Sequence, residues 1–219
     1  QARGGHLAAA LPQGAFRFIA LDVETACGDA ASICQIGLAC VREGGAIETY
    51  ATYVDPQMRF SGFNTQLHGI GAEHVAGAPL FGEALARLAP LLSRHHLIQH
   101  SSFDARAMRA ACARFGLAEI AWRWGDSVKI ARRAWPEFIG NGGHGLAHLK
   151  RQLGLRFEHH DAGEDARAAS GHAKIEPHPA AFRKRCVQLR VRVDAGEGLG
   201  GRHDRHAAGA AGPQGVGRP

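Results

Sequence analysis

"FIALDVETACG", residues 18–28, sets two carboxylates, Asp22 and Glu24, into an apolar run of Phe18, Ile19, Ala20, Leu21 and Val23. The run has the composition of a buried strand. Side chains of a strand alternate between faces, so residues i and i+2 point the same way and Asp22 and Glu24 stand side by side. Like charges that close repel each other, and a buried, unpaired carboxylate is costly. Either Glu24-Thr25 marks a strand end with both acids solvated, or a metal cation turns the repulsion into chelation.

Outward from this strand, the pattern predicts a mixed-sheet α/β domain. "FRFIALDV" (16–23), "SICQIGLACV" (32–41) and "AIETYATYV" (46–54) read as strands, the last two joined by the turn-forming "REGG" (42–45). Asp55-Pro56 closes the third. After Pro79 the spacing becomes helical: "LFGEALARLAPLLSR" (80–94) repeats its apolar residues at three- and four-residue intervals. "HLIQH" (96–100) fits a fourth strand. "DARAMRAACARFG" (104–116) is a helix, with Asp104 in a capping position and Gly116 just past its end. "AWRW" (121–124) reads as a fifth strand, "DSVKIARRAW" (126–135) and "GLAHLKRQLG" (145–154) as helices, and "AGEDARAAS" (162–170) as the start of a last helix. Strands first, then strands alternating with helices, is the order of a mixed sheet flanked by helices.

Composition divides the chain in three. Residues 1–15 form a flexible lead, 16–170 the domain, and 171–219 a Gly- and Arg-rich tail without core periodicity that reads as disordered. The net charge of +6 sits mainly in that tail. Residues 1–170 carry 17 Lys and Arg against 16 Asp and Glu, whereas 171–219 carry 9 against 4. The basicity therefore says nothing about what the domain binds. Five cysteines without a CxxC pair argue against structural zinc and a disulfide framework, and fit reduced thiols in a cytoplasmic protein. No apolar run reaches the roughly 18 residues of a membrane-spanning helix.

Four acids fall at strand ends or helix starts: Asp22, Glu24, Asp104 in "HSSFD" (100–104), and Asp165 in "HHDAGED" (159–165), with His160 five residues ahead of it. Such edges are where sites assemble in open α/β sheets. Each acid alone has a plain alternative. Asp104 could simply cap a helix, Asp165 could be a first-turn acid favoured by the helix dipole, and His160 could be one of 14 histidines on a loop.

In order and spacing, the segments resemble the DEDD superfamily of 3′–5′ exonucleases, in the branch with a catalytic histidine. That branch includes the epsilon proofreading subunit of DNA polymerase III, ribonuclease T and oligoribonuclease. "LDVETACG" is similar to the first motif, "HSSFD" to the second, with Ser101 or Ser102 where Asn is frequent, and "HDAGED" to the third, His-x-Ala-x-x-Asp. "QLHGIGAEHVAGAPLF" (66–81) is similar to the connecting segment with its His-Gly-Ile triplet. The resemblance covers residues 16–170 and implies a ribonuclease H-like fold.

It also implies hydrolysis of a terminal phosphodiester with two Mg²⁺ or Mn²⁺ ions. Asp22 would bridge both ions, Glu24 and Asp165 would each support one, and Asp104 would hold one through water. His160 would be the general base, a role suited to a side chain whose unperturbed pKa is about 6.5. Thr25, the triplet His68, Gly69 and Ile70, and Phe103 are the candidate contacts to the substrate; Phe103 has a core residue as its plain alternative. The expected partner is a single-stranded DNA 3′ end, released as nucleoside monophosphates, with a polymerase or a second copy of the chain as further candidates and no membrane. Short RNA is the alternative substrate. An inactive nucleic-acid-binding module of the same fold is the alternative function.

Overall fold

The computed structural model describes residues 10–154 together with Gly163 and Ala166. Three strands, β1 (Phe18–Thr25), β2 (Ile33–Val41) and β3 (Ile47–Tyr53), run as an antiparallel meander. Two short helices follow, α1 (Gly62–His68) and α2 (Ala72–Val75), and then α3 (Phe81–Leu92). After these come β4 (His96–Gln99), α4 (Phe103–Arg114), β5 (Arg123–Asp126), α5 (Ser127–Ala134), a 3₁₀ turn at Pro136–Phe138 and α6 (Leu146–Leu153). The sheet order is β3-β2-β1-β4-β5, with β4 parallel to both β1 and β5. This is the mixed sheet flanked by helices that the sequence predicts, and β1 lies at its centre.

Central strands are covered on both faces, which is why β2 is buried at all nine positions and reads as one apolar run. On one face Ile19, Leu21 and Val23 meet Phe81, Leu85, Leu88 and Leu92 of α3 and Ala107, Met108 and Ala111 of α4 in the main core. The other face is lined by small residues: Ala20 lies opposite Ala39, and Asp22 opposite Gly37. Ala166, which is helical, is fully buried there against Ala20 and Ala39. The β2–β3 turn forms at the "REGG" stretch, where Arg42 N–H donates to the Ala46 carbonyl at 2.8 Å and Gly45 takes a φ of +83°.

Several element boundaries differ from expectation. β1 runs to Thr25 rather than ending at Val23, because Glu24 and Thr25 still pair with β2, across a bulge. β5 begins at Arg123, two residues later than "AWRW", in the register set by pairing with β4 from His96 to Gln99. Asp104 is not the cap of α4: that position belongs to Ser102, and Asp104 lies inside the first turn. The expected last helix, apart from Gly163 and Ala166, and the expected tail lie outside the described residues.

Candidate active site

Asp22 and Glu24 share the face of β1 that also carries Ala20, as the strand period requires. Asp22 is half-buried and Glu24 is 9% exposed, so neither is a solvated rim acid. Opposite them on β2 stand Gly37 and Gln35. A glycine across from Asp22 puts no side chain beside it.

Asp104 reaches this strand from α4. β4 stops at Gln99, and its pairing with β1 ends at Ala20, so β1 beyond that point lacks a parallel neighbour. The Val23 N–H donates to Asp104 Oδ1 at 3.1 Å. Asp104 is only 2% exposed. The bond ties the second acidic segment to the strand between Asp22 and Glu24. Its chemical reason is a backbone donor that would otherwise be buried without an acceptor. Ser101, just before α4, has a φ of +85°, a left-handed conformation in which asparagine is more at home than serine.

The end of β1 is held a second time, by α1. The Thr25 carbonyl accepts from Asn64 Nδ2 at 2.9 Å and from His68 Nε2 at 3.0 Å. His68 Nδ1 in turn accepts from the Ile70 N–H at 3.1 Å. The two partners define the ring: Nδ1 is the acceptor, Nε2 carries the proton, and the imidazole is neutral. Burial accordingly holds the His68 pKa below its ordinary value, against the opposing pull of the Thr25 carbonyl. Of the remaining expected substrate contacts, Gly69 is exposed and ends α1 with a φ of +75°. Ile70 is buried with Ala26, Cys34 and Val75. Thr25 is 7% exposed. Phe103 is half-buried against the main core, with the Arg106 guanidinium 5.8 Å from its ring centre. His160 and Asp165 lie outside the described residues.

The donor set is hard. Asp22, Glu24 and Asp104 offer carboxylate oxygens, the ligands that Mg²⁺ and Mn²⁺ prefer. The neighbouring thiol does not compete: burial, with the Glu24 charge as second cause, pushes Cys34 up to about 12 and keeps it protonated. Among the described residues no group of three or more His, Cys, Asp and Glu side chains is arranged to hold an ion. Asp22, Glu24 and Asp104 do not by themselves form such a group.

A family model described as an exonuclease of the RNase T type matches residues 19–171, from the second residue of β1 onward. The chain belongs to the RNase T exonuclease family. This is the DEDD-type 3′–5′ exonuclease class that the three motifs resemble. The PolC-type DNA polymerase III of Streptococcus thermophilus is 30% identical over 155 residues, covering 69% of this chain and 10% of the relative. That of Streptococcus agalactiae is 31% identical over the same length. The chain therefore spans about a tenth of the curated relatives it matches. Among solved structures, exonuclease X in complex with 5′ overhanging duplex DNA has a TM-score of 0.56 at 19% identity, over 82% of this chain and 93% of that one. The nuclease domain of 3′hExo bound to rAMP has a TM-score of 0.55 at 16% identity, over 87% and 96%. Escherichia coli exonuclease I with an oligonucleotide has 0.63 at 20% identity, over 81% and 42%. These likenesses establish the fold. No helix among the described residues is long and apolar enough to cross a membrane.

Within this exonuclease domain, two residues act on the site's frame without standing out in the sequence. Asn64 is one; a lone amide in a polar stretch carries no signal of its role. His100 is the other. Its Nε2 donates to the His144 carbonyl at 3.0 Å, and its Nδ1 lies 2.9 Å from Ser127 Oγ, whose hydroxyl donates to the Gln99 carbonyl at 3.0 Å. One ring thus joins the end of β4, the start of α5 and the loop before α6. Only the "HSSFD" stretch that contains it pointed there.

Proposed function

We propose that this domain is a divalent-metal-dependent 3′–5′ exonuclease that releases nucleoside monophosphates from single-stranded DNA. The observation that carries the proposal is the arrangement of Asp22 and Glu24 on one face of β1, with Asp104 bonded to the strand between them at the Val23 N–H. Two acids side by side on a strand, with a third bonded to the same strand, repel one another unless a cation compensates them. Bound Mg²⁺ or Mn²⁺ would lower the pKa of a coordinated water and stabilise the leaving oxygen of the cleaved ester. Asp22, Glu24, Asp104 and Asp165 are the residues that would hold it. For Asp165, the support is its chain neighbour Ala166, which is buried on the same sheet face as Ala20, two residues from Asp22. His160 is placed by its motif as the base that takes the proton from the attacking water. The neutral His68 ring cannot substitute for it, because both of its nitrogens are engaged within the protein. The relatives in DNA polymerase III favour DNA over short RNA as the substrate.

The test is hydrolysis of a 5′-labelled single-stranded DNA and of the matching RNA. Stepwise shortening from the 3′ end with Mg²⁺, its loss in EDTA and its loss in Asp22→Ala are expected. Undiminished turnover in chelator would refute the metal mechanism, and faster trimming of the RNA would reassign the substrate.

A further inference from the structure

The described residues leave four large apolar side chains exposed, and two of them, Phe63 at 74% and Leu67 at 43%, lie on α1. They are four residues apart and so occupy one face of the helix. α1 buries none of its residues. Asn64 and His68, each one residue further along, form the adjoining face about 100° away. That adjoining face is the one docked on the Thr25 carbonyl, at the end of the strand bearing Asp22 and Glu24. The Ser61 N–H also donates to the Ala26 carbonyl at 2.8 Å, so the helix is fixed against the chain leaving β1 from its first residue. Phe63 and Leu67 therefore form an exposed apolar ledge on a helix that is docked at the end of β1.

Charge does not select the occupant: the exposed Arg59 lies four residues before Phe63, and Asp55 and Glu73 bound the segment on either side. What selects it is the aromatic ring itself, exposed on a helix docked at the end of the acid-bearing strand of an exonuclease domain, because every nucleobase has a π-face that can stack on such a ring.

We propose that Phe63, flanked by Leu67, is a stacking platform for the unpaired strand one or more nucleotides upstream of the bond being cleaved. It makes the enzyme prefer chains over isolated terminal nucleotides. The assignment rests on the exonuclease function above and extends it from the reacting phosphate to the strand behind it. Stacking acts without regard to base identity, so the platform contributes affinity for length and none for sequence.

The experiment compares two substrates on the full chain with Mg²⁺: the p-nitrophenyl ester of thymidine 5′-monophosphate, which has no upstream nucleotide, and a single-stranded DNA ten-mer. The readout is the ratio of kcat/KM for the ten-mer to that for the ester. Phe63→Ala is expected to lower this ratio by about 5–150-fold, the worth of one stacked base, mainly through KM of the ten-mer. Phe63→Trp is expected to retain it within about twofold, and Phe63→Leu to lose most of it. Anisotropy of the labelled ten-mer in EDTA reports binding independently of hydrolysis. A ratio and an anisotropy both indifferent to Phe63→Ala overturn the platform while leaving the hydrolytic function standing. A loss of binding in Phe63→Ala, in a protein that cleaves neither substrate, supports the platform and refutes the hydrolysis. A dimer that sediments as monomer only in Phe63→Ala, with ten-mer binding unaltered, overturns the platform in favour of a contact between two copies.

Discussion

Asp104 carries two loads that substitution can separate. Its carboxylate accepts the Val23 N–H at 3.1 Å, and its charge adds to those of Asp22 and Glu24. Asp104→Ala removes both. At 2% exposure no water replaces the lost acceptor, so the Val23 N–H is left buried and unsatisfied, at a cost of about 1–3 kcal/mol. Relief of like-charge repulsion in the metal-free protein offsets part of this. Asp104→Asn can keep an oxygen as acceptor for the Val23 N–H while it removes the charge and turns the second oxygen into an amide donor. The metal-free Asn variant should therefore melt at or above the parent. The Ala variant should melt about 3–10 °C below it, using the shift of roughly 2–4 °C per kcal/mol expected for a domain of this size. Both should lose hydrolysis, since neither an amide nor a methyl group replaces a carboxylate as a metal ligand. The assay is thermal unfolding by circular dichroism in EDTA, followed by Mg²⁺-dependent trimming of a labelled strand. Equal melting of the two variants would refute the role given to the Val23 bond. Full activity in Asp104→Asn would refute the metal role of the carboxylate.

Three further outcomes are expected. His160→Ala should slow hydrolysis roughly 10²–10⁴-fold and flatten the acidic limb of the rate profile, with His159→Ala much milder; the reverse order would shift the third motif by one residue and take Asp165 with it. His68 has a folded pKa below its unfolded value, so its contribution to stability is present above about pH 6.5 and is lost as acid protonates the unfolded chain. The parent's melting temperature should accordingly fall below about pH 6.5 more steeply than that of His68→Gln, and identical slopes would remove His68 from the account. Ser101→Asn should raise stability by a fraction of the ~1–2 kcal/mol that a left-handed residue costs, read from a denaturant midpoint, because Asn tolerates the observed φ of +85°; a lower midpoint would mean that the serine hydroxyl, 3.4 Å from the Phe103 N–H, matters more.

The amino-acid sequence by itself determined the parts of this protein that rest on period and local chemistry. The two-residue repeat of a strand is enough to set Asp22 and Glu24 on one face, and the three- and four-residue repeat of α3 is enough to make it a core helix. The order of three acidic motifs was enough to name the family. Tertiary structure decided what depends on partners far away in the chain. α1 has no buried residue, so it has no apolar period to detect; it is held by side chains bonded to a carbonyl 39 and 43 residues earlier. β5 begins two residues late because its register comes from β4, not from its own composition. Asp104 resembled a helix cap because a first-turn acid near a helix start is ambiguous in one dimension. Its real acceptor role is set by Val23, 81 residues away, whose N–H is left without a strand partner where β4 ends. A backbone donor exposed by the length of a neighbouring strand leaves no mark in the sequence, and only the assembled sheet could reveal which side chain satisfies it.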